Sequence, residues 1–126
     1  MPVDYTYDPV RKIINTEAHG VVTVKEITDY LESILSDDNI VYGSVEVFSL
    51  ENATDLAMKY SEAHVFQELW ARYKKRIGQQ VLVIAPDKLS FGLFRMLSTV
   101  VAMSDDTAGN AFKLLSSRDE LDEHLK

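Results

Sequence analysis

The sequence has no cysteine. A disulfide framework, a thiol nucleophile and a thiolate metal site are therefore excluded. No apolar run approaches the roughly 18 residues that a membrane-spanning helix needs. Histidine is scarce. His19, His64 and His124 fall at a strand end, on a helix and near the C-terminus, and no two share a ligand spacing. No zinc or di-iron site is expected from them. His64 reads as a half-buried structural histidine on the flank of a helix. The chain also lacks a G-x-S-x-G elbow, a Walker loop and a G-x-G-x-x-G turn. Basic charge is outweighed: 13 Lys and Arg stand against 20 Asp and Glu, for a net charge of −7. With a sequence pI of about 4.8, the surface repels phosphate backbones and anionic lipid. Nucleic-acid binding is not expected. The opening residues "MPVDYTYDPVRK" carry acids and tyrosines where a secretory signal needs a basic start and an apolar segment. A cytoplasmic location is the expectation.

What is present is an ordinary core. The 126 residues are 46% hydrophobic and 26% charged, the balance of a globular domain large enough to need no staples. One domain over residues 1–126 is expected. Val3, Tyr5 and Tyr7 alternate with polar neighbours as in a strand. Asp8–Pro9 then favours a turn into a second strand, "RKIINTEAHG", ending at Gly20. Thr23 and Glu26 stand at the spacing of a capping box, with Val22 and Ile27 as its hydrophobic staple. Ile27, Tyr30, Leu31, Ile34 and Leu35 recur at helical spacing. In "SVEVFSL", Val45, Val47 and Ser49 share one face of a strand, and Phe48 and Leu50 take the other. Asn52, Thr54 and Asp55 supply capping oxygens for a second helix. Its stripe is Leu56, Tyr60, Ala63, Phe66, Leu69, Trp70, Tyr73 and Ile77, and Gly78 suits its C-cap. "QQVLVIAP" reads as a central strand covered on both faces. A third helix, a Gly109–Asn110 turn, the strand "AFKLLS" and a short helix capped by Ser117 complete the chain. The order β-β-α-β-α-β-α-β-α predicts an α/β fold. Its sheet should be mixed, with an antiparallel N-terminal hairpin and parallel strands after it.

The third helix, within "APDKLSFGLFRML", is the most apolar. At about 100° per residue, Leu93, Phe94, Met96, Leu97, Val100, Val101 and Met103 span roughly 180° of its surface. Gly92, Arg95 and Thr99 lie opposite. A covering helix needs an apolar face of only about 100°. The excess is either core beneath a neighbour or an exposed patch extended by Phe91, Met96 and Met103. Gly92 early in a helix suggests a close approach of another group. Arg95 stands at the wrong end for the helix dipole. An intramolecular carboxylate is the expected partner, with a phosphate or lipid headgroup as the sharper alternative. The candidate interaction or ligand face is therefore Phe91, Gly92, Arg95, Met96, Val100 and Met103.

Other charged features read as surface chemistry. Arg72, Lys74, Lys75 and Arg76 suit a helix C-terminus. Asp37–Asp38 and Asp105–Asp106 lack the spaced oxygens of a calcium loop and suit turns. No residue set singles out a catalytic site, and no cofactor is implied.

Taken in order, these segments resemble the SpoIIAA-like proteins with a STAS-type fold. The resemblance runs from "YDPVRKIINTEAHGVVTVKEI" through "VLVIAPDKLSFGLFRM" to "NAFKLLSSRDELDEHL". Phe91, Gly92, Arg95 and Met96 match its aromatic-Gly-x-x-Arg-Met segment. The resemblance implies a bacterial α/β domain without established enzymatic chemistry. Anti-sigma-factor antagonists of this fold are switched on a serine in an Asp-Ser-x-Gly segment. Here the region reads "FSLENATDL", with neither the Asp-Ser pair nor the glycine. Ser49 and Thr54 do not match, so no phosphorylation site is carried over. Two functions remain. The first is a non-enzymatic protein-interaction or regulatory module, homodimeric through the third helix. The alternative is a binding protein for a small apolar or lipid-like ligand between that helix and the sheet, with Arg95 meeting the headgroup.

Overall fold

The computed structural model describes residues 3–57, 62–78, 80–102 and 112–125, apart from the side chains of 56, 63, 93, 94, 96, 97 and 100–102. The elements are β1 (Val3–Asp8), β2 (Ile13–Thr23), α1 (Val24–Leu35), β3 (Val45–Ala57) and α2 (Ala63–Arg76). They continue as β4 (Val81–Ile84), α3 (Lys88–Ala102), β5 (Phe112–Leu115) and α4 (Arg118–His124). The five strands lie in sequence order, β1-β2-β3-β4-β5. β1 and β2 are antiparallel, and every later pair is parallel. This is the mixed sheet that the order of elements predicts.

The pleat divides the core into two faces. Ile14, Phe48, Leu50, Val81 and Val83 belong to the front cluster, with buried residues of α1 and α2. Ile13, Val47, Leu82, Ile84 and Leu115 form the rear cluster, closed by Leu121 of α4. Val81–Ile84 is buried throughout, as a strand covered on both sides must be. α1 packs on α2, and α2 on α3.

Local signals fix most boundaries. Thr23 and Glu26 form the full capping box, and the staple residues Val22 and Ile27 are both buried. Ser117 caps α4 by accepting from the Glu120 amide. Gly78 follows α2 with φ +140°, and a Cβ there would lie 3.9 Å from the Gly43 backbone. The Gly43 amide also donates to the Ile77 carbonyl at 2.7 Å, so the end of α2 is tied to the loop before β3. The Gly109–Asn110 turn lies outside the described residues.

Two expectations are corrected. β2 does not stop at Gly20. It runs to Thr23 through register shifts between Glu17 and His19 and between Gly20 and Val21. Nor do Asn52, Thr54 and Asp55 cap α2. They lie in β3, which extends to Ala57 and pairs with His19–Thr23. Backbone pairing satisfies donors and acceptors that a cap would satisfy only in part, so it prevails over the local propensity of those residues. Leu56 accordingly belongs to β3, and Tyr60 lies outside the described residues. α2 begins after Glu62, without a side-chain cap bond.

Candidate functional site

The extended β2–β3 pair sets a carboxyl group under the helices. Glu46 shares the front face of β3 with Phe48 and Leu50, two and four residues on. It is only 4% exposed. The Tyr30 hydroxyl from α1 donates to Glu46 Oε1. The Tyr73 hydroxyl from α2 donates to Oε2 at 3.1 Å. On β2, Thr16 Oγ1 lies 2.6 Å from the Tyr30 hydroxyl. Two helices thus converge on one carboxyl, and β2 backs the Tyr30 hydroxyl.

Burial governs the electrostatics. It pushes the Glu46 carboxyl above its ordinary range, and the two phenol hydrogen bonds only partly offset this. Burial, and then the neighbouring Glu46 charge, hold Tyr30 and Tyr73 well above the usual phenol range. Both phenols therefore stay protonated and act as donors.

This cluster forms one wall of a cavity of about 100 Å³ between the sheet and the helices. Phe48, Val83 and Phe112 form its sheet side. Leu31 of α1 and Leu69 of α2 enclose it, and Ser98 of α3 reaches it from above. Trp70 lines it as well, stacked on Tyr73 at 5.6 Å and tilted against Phe112 at 5.1 Å. An apolar enclosure with a few convergent polar groups is the usual form of a small-molecule site.

The face expected from sequence lies elsewhere on the same helix. Phe91, Gly92 and Arg95 are exposed and do not line the cavity. The side chains of Met96 and Val100, and all of Met103, lie outside the described residues. Among the described residues nothing comes within 4 Å of a Cβ built at Gly92. Arg95 has no ion-pair partner among the described residues. The start of α3 is already occupied: Asp87 Oδ1 accepts from the Ser90 amide at 2.8 Å and from its hydroxyl at 2.7 Å. These bonds hold the Asp87 carboxyl below its ordinary range, and an added anion would meet that charge.

The remaining charged candidates are structural. Arg72 grips Glu32 of α1 with two nitrogens, at 2.7 and 3.2 Å. Arg76 donates to the Asp37 carbonyl at 2.9 Å. Asp37 itself accepts from the Tyr5 hydroxyl at 2.8 Å and from the Asn39 amide at 3.0 Å, the geometry of a turn residue. Asp105–Asp106 lies outside the described residues. His64 is exposed rather than half-buried, in the first turn of α2. Among the described residues no group of three or more His, Asp or Glu is placed to hold a metal. No helix there is long and apolar enough to cross a membrane.

Sequence reasoning missed Glu46. The signal was available: stepping back two residues from Phe48 along a period-2 strand lands on a carboxylate facing the core.

No family model and no curated relative matches the chain. Its fold is similar to a solved structure, that of an uncharacterized protein of the DUF3478 family from Shewanella loihica PV-4, described as having a SpoIIAA-like fold. The TM-score is 0.60 at 16% sequence identity, over 98% of this chain and 94% of that one. Together with the mixed five-stranded sheet and its flanking helices, this likeness gives the chain a SpoIIAA-like fold.

Proposed function

We propose that this protein is a non-enzymatic regulatory module whose ligand is a small apolar molecule held between the helices and the sheet. The observation that carries this reading is the cavity itself, whose described lining is largely apolar, with Glu46, Tyr30, Tyr73 and Ser98 as its polar groups. A polar cluster within an apolar enclosure orients a ligand more readily than it fills space. A hydrolytic reading has less support. Ser98 Oγ donates to the Arg95 carbonyl of its own helix at 3.2 Å, and among the described residues no base hydrogen-bonds to it. In this proposal the ligand lies between α3 and the sheet, the alternative of the sequence reading, with Glu46, Tyr30 and Tyr73 in the polar role assigned there to Arg95.

The test uses Trp70, the single tryptophan of the chain, which lines the cavity. Titration with uncharged one-ring compounds should change its emission saturably, and Ser98→Phe should abolish the response. Protein recovered from cells should show added mass under native ionisation. A flat titration together with a bare protein mass would remove this reading.

Homodimerisation or partner contact through α3 stands beside it as a second reading. Its support is specific: Leu89 is 49% and Phe91 41% exposed on the first turns of that helix. Exposed apolar side chains of this size suit a contact surface. Light scattering across a concentration series should show a dimer that Leu89→Glu with Phe91→Glu converts to monomer. A monomer at every concentration, with no partner retained, would end this reading.

A further inference from the structure

The hydrogen count of the Glu46 cluster says what kind of ligand the cavity takes. Thr16, Tyr30 and Tyr73 each carry one hydroxyl hydrogen, and a neutral Glu46 carries one more, four in all. Among the described residues the cluster makes three contacts: Thr16 to Tyr30, Tyr30 to Glu46, and Glu46 to Tyr73. With Glu46 ionised, three hydrogens fill three contacts. Thr16 donates to Tyr30, and both tyrosines donate to the carboxylate. With Glu46 neutral, one hydrogen is left over. The carboxyl can donate to the Tyr73 oxygen, and the Tyr73 hydrogen then turns away from the carboxyl. Tyr73 lines the cavity, so that spare donor can point at a bound molecule.

Resting on the cavity reading above, we infer that the site selects an uncharged, one-ring apolar molecule bearing a carbonyl-type acceptor, and binds it with Glu46 in its neutral form. A buried donor left without an acceptor is costly, so a ligand that accepts from Tyr73 is favoured over one that cannot. A charged ligand is disfavoured, because the described lining includes no cation to compensate it. At about 100 Å³ the cavity is smaller than an engineered cavity of about 150 Å³ in another protein that takes up benzene, so a single ring is the upper limit of what it can enclose. The groups facing Glu46 are Tyr30 from α1, Tyr73 from α2, Thr16 beyond Tyr30, and its strand neighbours Ile14 and Val81. None of them brings a second carboxylate or a cation. Burial already raises the Glu46 carboxyl toward its neutral form, and an acceptor ligand adds to that. Binding therefore takes up a proton once the pH exceeds the Glu46 value.

Acetophenone, ethylbenzene and benzoate separate the possibilities, with Trp70 emission as the readout. Acetophenone should bind about tenfold more tightly than ethylbenzene at low pH, the worth of one good hydrogen bond. Its affinity should fall by up to about tenfold per pH unit above the Glu46 value, while that of ethylbenzene changes much less. In Glu46→Gln, which keeps a donor at every pH, the ketone preference should persist without pH dependence. Two results would overturn the inference while leaving the cavity reading intact. One is equal, pH-independent binding of ketone and hydrocarbon; the other is tighter binding of benzoate than of acetophenone at neutral pH, where benzoate is ionised. If none of the three compounds binds, the cavity reading fails with it. The wild-type pH series decides the matter even if Glu46→Gln does not fold.

Discussion

The Tyr30 hydroxyl on α1 donates to the Glu46 carboxyl on β3, joining inside the core two residues that stand 16 apart in sequence. α2 supplies the matching bond through Tyr73. Two helices are thus fastened to one strand position by a group whose charge depends on pH.

Stability should report that dependence. The folded protein holds the Glu46 proton more tightly than the unfolded chain does, because burial raises its value. The contribution is full below the unfolded glutamate value of about 4.3. It is lost as pH rises through the higher folded value. Carboxylates held below their ordinary values, such as Asp37 and Asp87, act in the opposite sense at lower pH. The difference between wild type and Glu46→Gln isolates the one group. Urea midpoints of the two proteins should diverge in favour of the variant as pH rises from about 4 through neutrality. Curves that run parallel throughout that range would contradict the assignment.

The two tyrosines should not be equivalent. Tyr30→Phe leaves both Thr16 Oγ1 and Glu46 Oε1 without their partner, whereas Tyr73→Phe orphans only Glu46 Oε2. Each buried group left unpaired costs about 1–3 kcal/mol. Tyr30→Phe should therefore be the more destabilising substitution in urea unfolding at neutral pH. The reverse order would place the main anchor of the carboxyl on α2.

Much of this fold is written locally. The Thr23–Glu26 box, the Val22–Ile27 staple and the unbroken Val81–Ile84 run each depend on neighbours in sequence, and each is found where it is read. The extension of β3 is not local. Asn52 and Asp55 are weak strand formers, held extended by pairing with β2 some 30 residues earlier. The site was hidden for a related reason. Tyr30 and Tyr73 fall in apolar stripes and read as core, which they are. Only the packing of α1 and α2 over β3 shows that their hydroxyls share one acid.

Gly78 should resist replacement. Its φ of +140° is a conformation that side chains with a Cβ rarely adopt, and the Gly43 backbone lies against it. Gly78→Ala should cost at least about 1 kcal/mol, because the native conformation excludes the new residue. Thermal unfolding checks this. An unchanged midpoint would mean that the end of α2 can rearrange without loosening the Gly43–Ile77 bond.

Gly92 should behave in the opposite way. It lies in the first half of α3 with nothing described within 4 Å of a built Cβ and no positive φ. An alanine at such a helical position is favoured by about 1 kcal/mol. Gly92→Ala should therefore raise the melting temperature of the isolated chain. The same variant also probes the exposed surface of Leu89 and Phe91 beside it. If a second copy or a partner packs closely on Gly92, the added methyl group should weaken assembly while still stabilising the monomer. Calorimetry and light scattering on one preparation separate these effects. A gain in stability with assembly unchanged would assign Gly92 to solvent and move any contact surface to the neighbouring apolar residues. A loss of stability in the monomer would contradict the open geometry at this position.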